Sequence, residues 1–247
     1  CLKVKYSNIL GIKFFNGSLK DSFKLATGSL VVAPSGPNMA NDLFENRYYK
    51  NSLEKAGLVL PDSGLVCLWQ NCLAEEQIKR ISGLKFLKFF LDHFNLFDES
   101  FWVMPDFKQA TSNANWIKSK YNYKIKENQI YIAPIYDRGM PIEDWDLLRK
   151  LKELRPSIIF IQLGGGVQEP LGLFLKEKLP NQTTIICTGA ALAFLSSEQA
   201  PIPDWVDKYY LGWLMRCVFA PKVFVPRYIS AIKLILLLFT HRNKSSD

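Results

Sequence analysis

Histidine is nearly absent: His93 and His241 are the only two in 247 residues. That leaves little material for a His-rich metal site or a Ser-His-Asp triad. Cysteine is sparse too, with five residues at 1, 67, 72, 187 and 217, an odd number without ladder spacing. Cys67 and Cys72 share an apolar segment and read as reduced core residues. A reducing cytoplasm fits this usage better than a disulfide scaffold or a metal pair. No apolar run reaches the roughly 20 residues of a spanning helix. The nearest, Tyr228 to Thr240, is short and broken by Lys233. Cys1 to Tyr6 lack the charged, apolar and small-residue succession of a signal peptide, and a first residue of Cys rather than Met reads as a trimmed chain. Internal repeats and low-complexity tracts are missing as well.

What is present is an ordinary globular balance, 48% apolar and 22% charged, in a length that suits one large domain or a domain with an appendage. The formal charge of +8 is unevenly placed. From Trp205 to Asp247 there are seven basic residues against two acidic ones, separated by Leu, Ile, Phe and Trp. A basic, greasy tail of this kind fits an anionic membrane surface better than nucleic acid. The plainer alternative is a C-terminal helix that closes the core and leaves its lysines in water.

The most informative stretch is Pro156 to Pro170. Ile158 to Leu163 is apolar in five of six positions without polar alternation, as expected of a central parallel strand buried on both faces. Gly164, Gly165 and Gly166 follow, and a helix is expected over Leu171–Lys178. Elsewhere strands are expected at Leu2–Leu10, Ser29–Ala33, Leu58–Leu60, Phe101–Met104, Gln129–Pro134 and Thr183–Cys187. Helices are expected near Ser18–Ala26, Asn41–Ala56, Gly64–Asn71, Leu84–Phe94 and Asp144–Leu154, with a polar helix and loop over 107–126. Pro34 to Asn38 reads as a turn outside any helix. This alternation predicts an α/β fold with a mostly parallel sheet. A boundary falls loosely at Gln199–Pro203.

In such sheets ligands sit at the carboxyl edge of the strands. Glycines there let a ligand approach the backbone, and the N-terminus of the next helix favours an anion such as phosphate. Gln168 and Glu169 are expected at that rim. The plain alternative is a tight turn that needs glycine for shape alone. Asp62 stands at the end of another strand, as an acid at the same mouth or as the N-cap of the helix beginning at Gly64.

Several segments, in fixed order, resemble one family, the WecG/TagA/CpsF bacterial glycosyltransferases. They are Asn8 to Ile12, Val31 to Pro34 with Asn38, Leu58 to Asp62, Arg80 to Gly83, and Leu163-Gly164 through Gln168-Glu169. Beyond these come Phe194-Leu195, Pro203 to Trp205, Leu211 to Arg216, Pro221-Lys222 and Arg227-Tyr228. The resemblance implies a Rossmann-like core over 1–200 and a membrane-associating appendage over 201–247. It implies inverting transfer, without metal or other cofactor, from a UDP-sugar (typically N-acetylmannosamine) to an undecaprenyl-diphosphate-linked sugar for cell-surface polysaccharide. The partners implied are that donor, that lipid-linked acceptor and the inner face of the cell membrane, with no nucleic acid; self-association is left open.

The resemblance assigns the catalytic set to Asp62, Arg80 and Gln168, with Asp62 as the base. Substrate binding is expected at Asn38, Gly164, Gly165, Gly166, Glu169, Arg216, Lys222 and Arg227, with lipid headgroups or a solvated helix face as the alternative for Arg216 and Arg227. The chain departs from the family at Lys85 and Ala193, where acids are usual, at Pro105-Asp106, where glycines are usual, and at Val223 and Pro226, where basic residues are common. Those departures motivate a second reading, a non-catalytic module that binds a nucleotide-sugar or a membrane within a polysaccharide-assembly complex. A third, a dinucleotide-dependent oxidoreductase, fits poorly: Gly164 to Gly166 do not make Gly-x-Gly-x-x-Gly and lie late in the chain.

Overall fold

A computed structural model describes residues 4–73, 77–196, 230 and 232–240. The chain opens with an antiparallel hairpin of Tyr6–Ile9 (β1) and Ile12–Phe15 (β2), not the single strand expected over Leu2–Leu10. Leu10 and Gly11 both take positive φ, 53° and 81°, the two-residue turn whose twist matches a hairpin. Leu19–Ala26 (α1) follows, with the Ser18 hydroxyl accepting from the Asp21 amide. Leu30–Val32 (β3) leads into Gly36–Asp42 (α2), so the Pro34–Asn38 segment is partly helical after all. Pro37 is tolerated because it lies in the first turn, where its missing N–H has no intrahelical partner to lose. The helix expected over Asn41–Ala56 breaks between α2 and Arg47–Lys55 (α3), where Asn46 caps the second piece.

The remaining order is Leu58–Val59 (β4), Gly64–Leu73 (α4), Gly83–Asp92 (α5), Ser100–Met104 (β5), Phe107–Tyr121 (α6) and Ile130–Ile132 (β6). Then come Trp145–Leu154 (α7), Ile158–Ile161 (β7), Gln168–Lys178 (α8), Thr184–Cys187 (β8) and Ala191–Leu195 (α9). Residues 232–240 are helical. α9 was not foreseen; five residues are too few to print a helical period.

Six strands form one parallel sheet in the order β4-β3-β8-β7-β5-β6. β7 is central and wholly buried, as its apolar run predicts. Alternate side chains divide between two cores. Leu30, Val103, Ile159, Ile161 and Ile185 face α2, α3, α7 and α8. Val31, Trp102, Phe160 and Ile186 face α5, α6 and α9. Trp102 stacks on Phe160 at 4.2 Å, and its indole N–H donates to the Ser100 hydroxyl at 2.8 Å. The result is a Rossmann-like α/β/α sandwich.

Leu234 and Leu238 of the C-terminal helical segment are buried in the first core. The boundary expected at Gln199–Pro203 lies outside the described residues. Cys67 and Cys187 are buried free thiols, but Cys72 is exposed, because α4 turns that side toward solvent.

α8 lies close on the sheet because Gly172 carries no side chain. A Cβ there would stand 2.8 Å from Cys187 Sγ and 2.9 Å from Leu30 Cδ1. Gly172→Val should therefore destabilise the fold by about 1–3 kcal/mol through overpacking, read as a lower urea midpoint. An unchanged midpoint would mean that helix and sheet are loosely packed there.

Candidate functional site at the carboxyl edge of the sheet

Because every strand of the large sheet runs the same way, the loops after β3, β4, β7 and β8 emerge on one edge. After β7 the chain turns through Gly164, Gly165 and Gly166, and α8 begins at Gln168 rather than at the expected Leu171. Gln168 and Glu169 thus sit in the first helical turn, 2% and 0% exposed, beneath the rim rather than on it. Gln168 ties two loops together: its Oε1 accepts from the Gly189 amide at 2.8 Å, and its Nε2 donates to Glu169 Oε1 at 3.1 Å.

Glu169 Oε2 accepts from the Gly166 amide at 2.7 Å. The amides of Val167 and Gln168 turn back to the Gly164 carbonyl at 3.3 and 3.2 Å. The helix terminus expected to await an anion is therefore already occupied by the protein's own carboxylate. Burial pushes the Glu169 carboxyl up to about 7, against the pull of its own and the Gly166 backbone N–H and of Gln168; Asp42 adds a further push upward.

Asn38 stands in α2 with its Nδ2 over Gly165, where a Cβ would come within 1.5 Å of it. Arg138, from the loop between β6 and α7, lies over Gly166 in the same way, with its guanidinium 2.7–3.0 Å from where a Cβ would be. Arg138 Nε donates to Asp42 Oδ1 at 3.1 Å, and Nη2 donates to Asp42 Oδ2 and to Asn38 Oδ1, the latter at 3.4 Å. Asp42 is buried, so this fork supplies the partner that a buried carboxylate needs. Tyr49 of α3 is fully buried beside them, and its hydroxyl has no hydrogen-bond partner among the described residues. Burial raises its pKa far above the usual value, and the charges of Glu169, Asp42 and Asp62 raise it further, while Arg138 opposes them.

Asp62, in the loop after β4, is half-buried. Its Oδ1 accepts from the Gly83 amide at 3.0 Å, at the start of α5, and Arg80 Nε donates to the Asp62 carbonyl at 2.8 Å. The cap of α4 is Ser63, whose hydroxyl accepts from the Val66 amide at 3.4 Å, so the expected N-cap role of Asp62 is corrected. Gly83 abuts Thr188: a Cβ on it would lie 3.5 Å from the Thr188 carbonyl. Thr188 precedes Gly189, which Gln168 holds. Asp62, Arg80, Asn38, the three glycines, Gln168 and Glu169 accordingly share one edge of one sheet. Arg216, Lys222 and Arg227 lie outside the described residues. Of the departures, Ala193 is buried in α9 and Lys85 is exposed on α5.

Asp42, Tyr49 and Arg138 were not foreseen. Arg138 stands in an Asp-Arg-Gly turn that looks like any solvated loop, and only folding brings it to Gly166. A hollow of about 1170 Å³ opens at the opposite, amino edge, lined by Phe90, His93, Phe94, Arg155 and Lys178 among others. Size alone does not make a site, and none of the expected residues lines it. Among the described residues, no three His, Cys, Asp or Glu side chains group as metal ligands.

The buried carboxylate makes a pH prediction. Unfolded, Glu169 titrates near its ordinary 4.5; folded, near 7. The folded state holds the extra proton between these values, so the associated stability is complete below about 4.5 and is lost as pH rises through about 7. Glu169→Gln cannot titrate. Relative to the wild type it should gain stability from pH 4.5 to 7.5, on the order of 3 kcal/mol in denaturant titrations. A constant difference across that range would show that Glu169 is not the titrating group.

In a comparison with curated proteins, none matches the chain. The model of the glycosyl transferase WecG/TagA/CpsF family matches residues 7–247, nearly the whole length, and the protein belongs to this family of glycosyltransferases of cell-surface polysaccharide synthesis.

Proposed function

We propose that the protein is an inverting, metal-independent transferase. It moves a sugar, N-acetylmannosamine-like, from a UDP-sugar to an undecaprenyl-diphosphate-linked sugar, working peripherally on the inner face of the cell membrane. The observation that supports this most is the setting of Asp62 at the carboxyl edge, its carboxylate oriented by the Gly83 amide.

In this reading Asp62 takes the proton from the acceptor hydroxyl as that oxygen attacks the anomeric carbon from the face opposite UDP. The bond from the anomeric carbon to the UDP oxygen breaks as the new one forms, and the sugar's configuration inverts. Charge grows on the departing diphosphate and must be met by cations. Arg80, held on the Asp62 carbonyl, brings one such group beside the base. Arg216, Lys222 and Arg227 are proposed to add others.

The membrane part rests on the surface of the C-terminal segment. Ile232, Leu236 and Phe239 are exposed, at helical spacing. Phe239 meets Trp69 of α4 edge-on at 4.1 Å, beside the exposed Leu68 and Leu73. Among the described residues, no helix is long and apolar enough to cross a membrane. An apolar face of this kind suits insertion into an interface.

Two measurements test the proposal. UDP release that requires a polyprenyl-diphosphate-sugar acceptor should fall by about 10²–10⁴-fold in Asp62→Asn, with UDP affinity kept. Full activity in that variant would remove Asp62 from the role of base, and UDP binding without turnover on any donor would favour the non-catalytic reading. For the membrane, removing the segment would also remove Leu234 and Leu238 from the core, so point changes are the cleaner probe. Ile232→Asp with Leu236→Asp should weaken binding to anionic phospholipid vesicles by about a hundredfold or more, read by sedimentation, since each buried apolar side chain is worth about 1.5–3 kcal/mol. Unchanged sedimentation would assign that face another role.

A further inference from the structure

The glycine turn after β7 has a feature that a bare phosphate-binding loop would not have. The amides at its helix terminus are engaged from inside, since the wholly buried Glu169 takes the Gly166 amide and the Gly164 carbonyl takes those of Val167 and Gln168. The positive end of α8 therefore offers less to a diphosphate than an open helix terminus would. Counter-charge at this rim has to come from side chains.

Arg138 is the side chain in position. Gly166 has φ +86°, and Arg138 fills the space that a Cβ would take, so the guanidinium caps the turn directly. Its Nε and Nη2 edge is committed to Asp42 and Asn38. Among the described residues, nothing accepts from Nη1, and the side chain is 49% exposed. A fork fixed on one carboxylate, with its remaining nitrogen open, is preorganised to take a second anion. Pairing with the buried Asp42 accounts for the Nε and Nη2 edge but makes no use of Nη1.

We propose that Arg138 binds the diphosphate of the nucleotide donor above Gly165 and Gly166, with Asp42 as the positioning residue that sets the guanidinium plane. This inference rests on the nucleotide-sugar reading above and names one contact within it. The two glycines then serve a stated purpose: they admit Asn38 and Arg138 to the rim, where any Cβ would push them out.

The test compares uridine, UMP and UDP binding to the full chain by calorimetry or ligand-observed NMR. Arg138→Gln keeps a donor for Asp42 but removes the charge. It should weaken UDP by roughly 10- to 100-fold while changing uridine less than about twofold, because the lost contact is to phosphate. Arg138→Lys keeps the charge without the fork and should lose about tenfold on UDP, again sparing uridine. It serves as the readout if the Gln variant does not fold. Equal losses for uridine and UDP would mean a structural role and overturn the assignment. UDP binding that neither variant alters would also overturn it and leave the transferase reading standing. Failure of the wild type to bind UDP at all would overturn both.

Discussion

The constraint on which the rest of the molecule depends is burial of a parallel sheet on both faces. Ile158–Ile161 cannot be solvated on either side, so helices must cover both, and each crossover must return the chain to the same starting edge. Loops from distant parts of the sequence consequently open together at the carboxyl edge. Residues as far apart as Asn38, Asp62, Arg138 and Gln168 become neighbours without any local signal between them.

That edge is held by buried polar groups whose hydrogen bonds run between loops. Gln168 joins the β8 turn to α8, and Glu169 closes the glycine turn from within. The Arg138–Asp42 fork fastens the loop after β6 to α2. Buried charges of this sort are poor sources of net stability, since desolvation offsets most of the attraction. They do fix positions, because removing either partner strands the other in a low-dielectric interior. Rigidity of the rim is what a transferase with a developing charge on its leaving group requires. Among the described residues the Tyr49 hydroxyl has no hydrogen-bond partner beneath this network.

The C-terminal segment belongs to the core and to the surface at once. Leu234 and Leu238 complete the packing beside α2 and α4, while Ile232 and Leu236 are exposed and Phe239 lies against Trp69 of α4. The plain expectation of a core-closing helix holds for this segment, and its exposed face carries the membrane proposal.

By itself the sequence determined the layer architecture, because period and apolar content report burial directly: the largely apolar Ile158–Leu163 run supplies the central strand, helices alternate with strands, and the glycines follow a strand end. Through ordered motifs it also singled out Asp62, Arg80 and Gln168, which the fold brings to one edge of the sheet and whose roles are proposals. It misjudged what depends on partners remote in the chain. Asp62 looked like a cap for α4 because Gly83, its actual partner, lies in the next helix. The terminus of α8 looked open because nothing local reveals that Glu169 folds back onto Gly166. Arg138 was invisible, since a charged turn reads the same whether it faces water or a site. Only the tertiary structure decides such pairings, because hydrogen bonds and ion pairs depend on distances of about 3 Å that sequence separation does not encode.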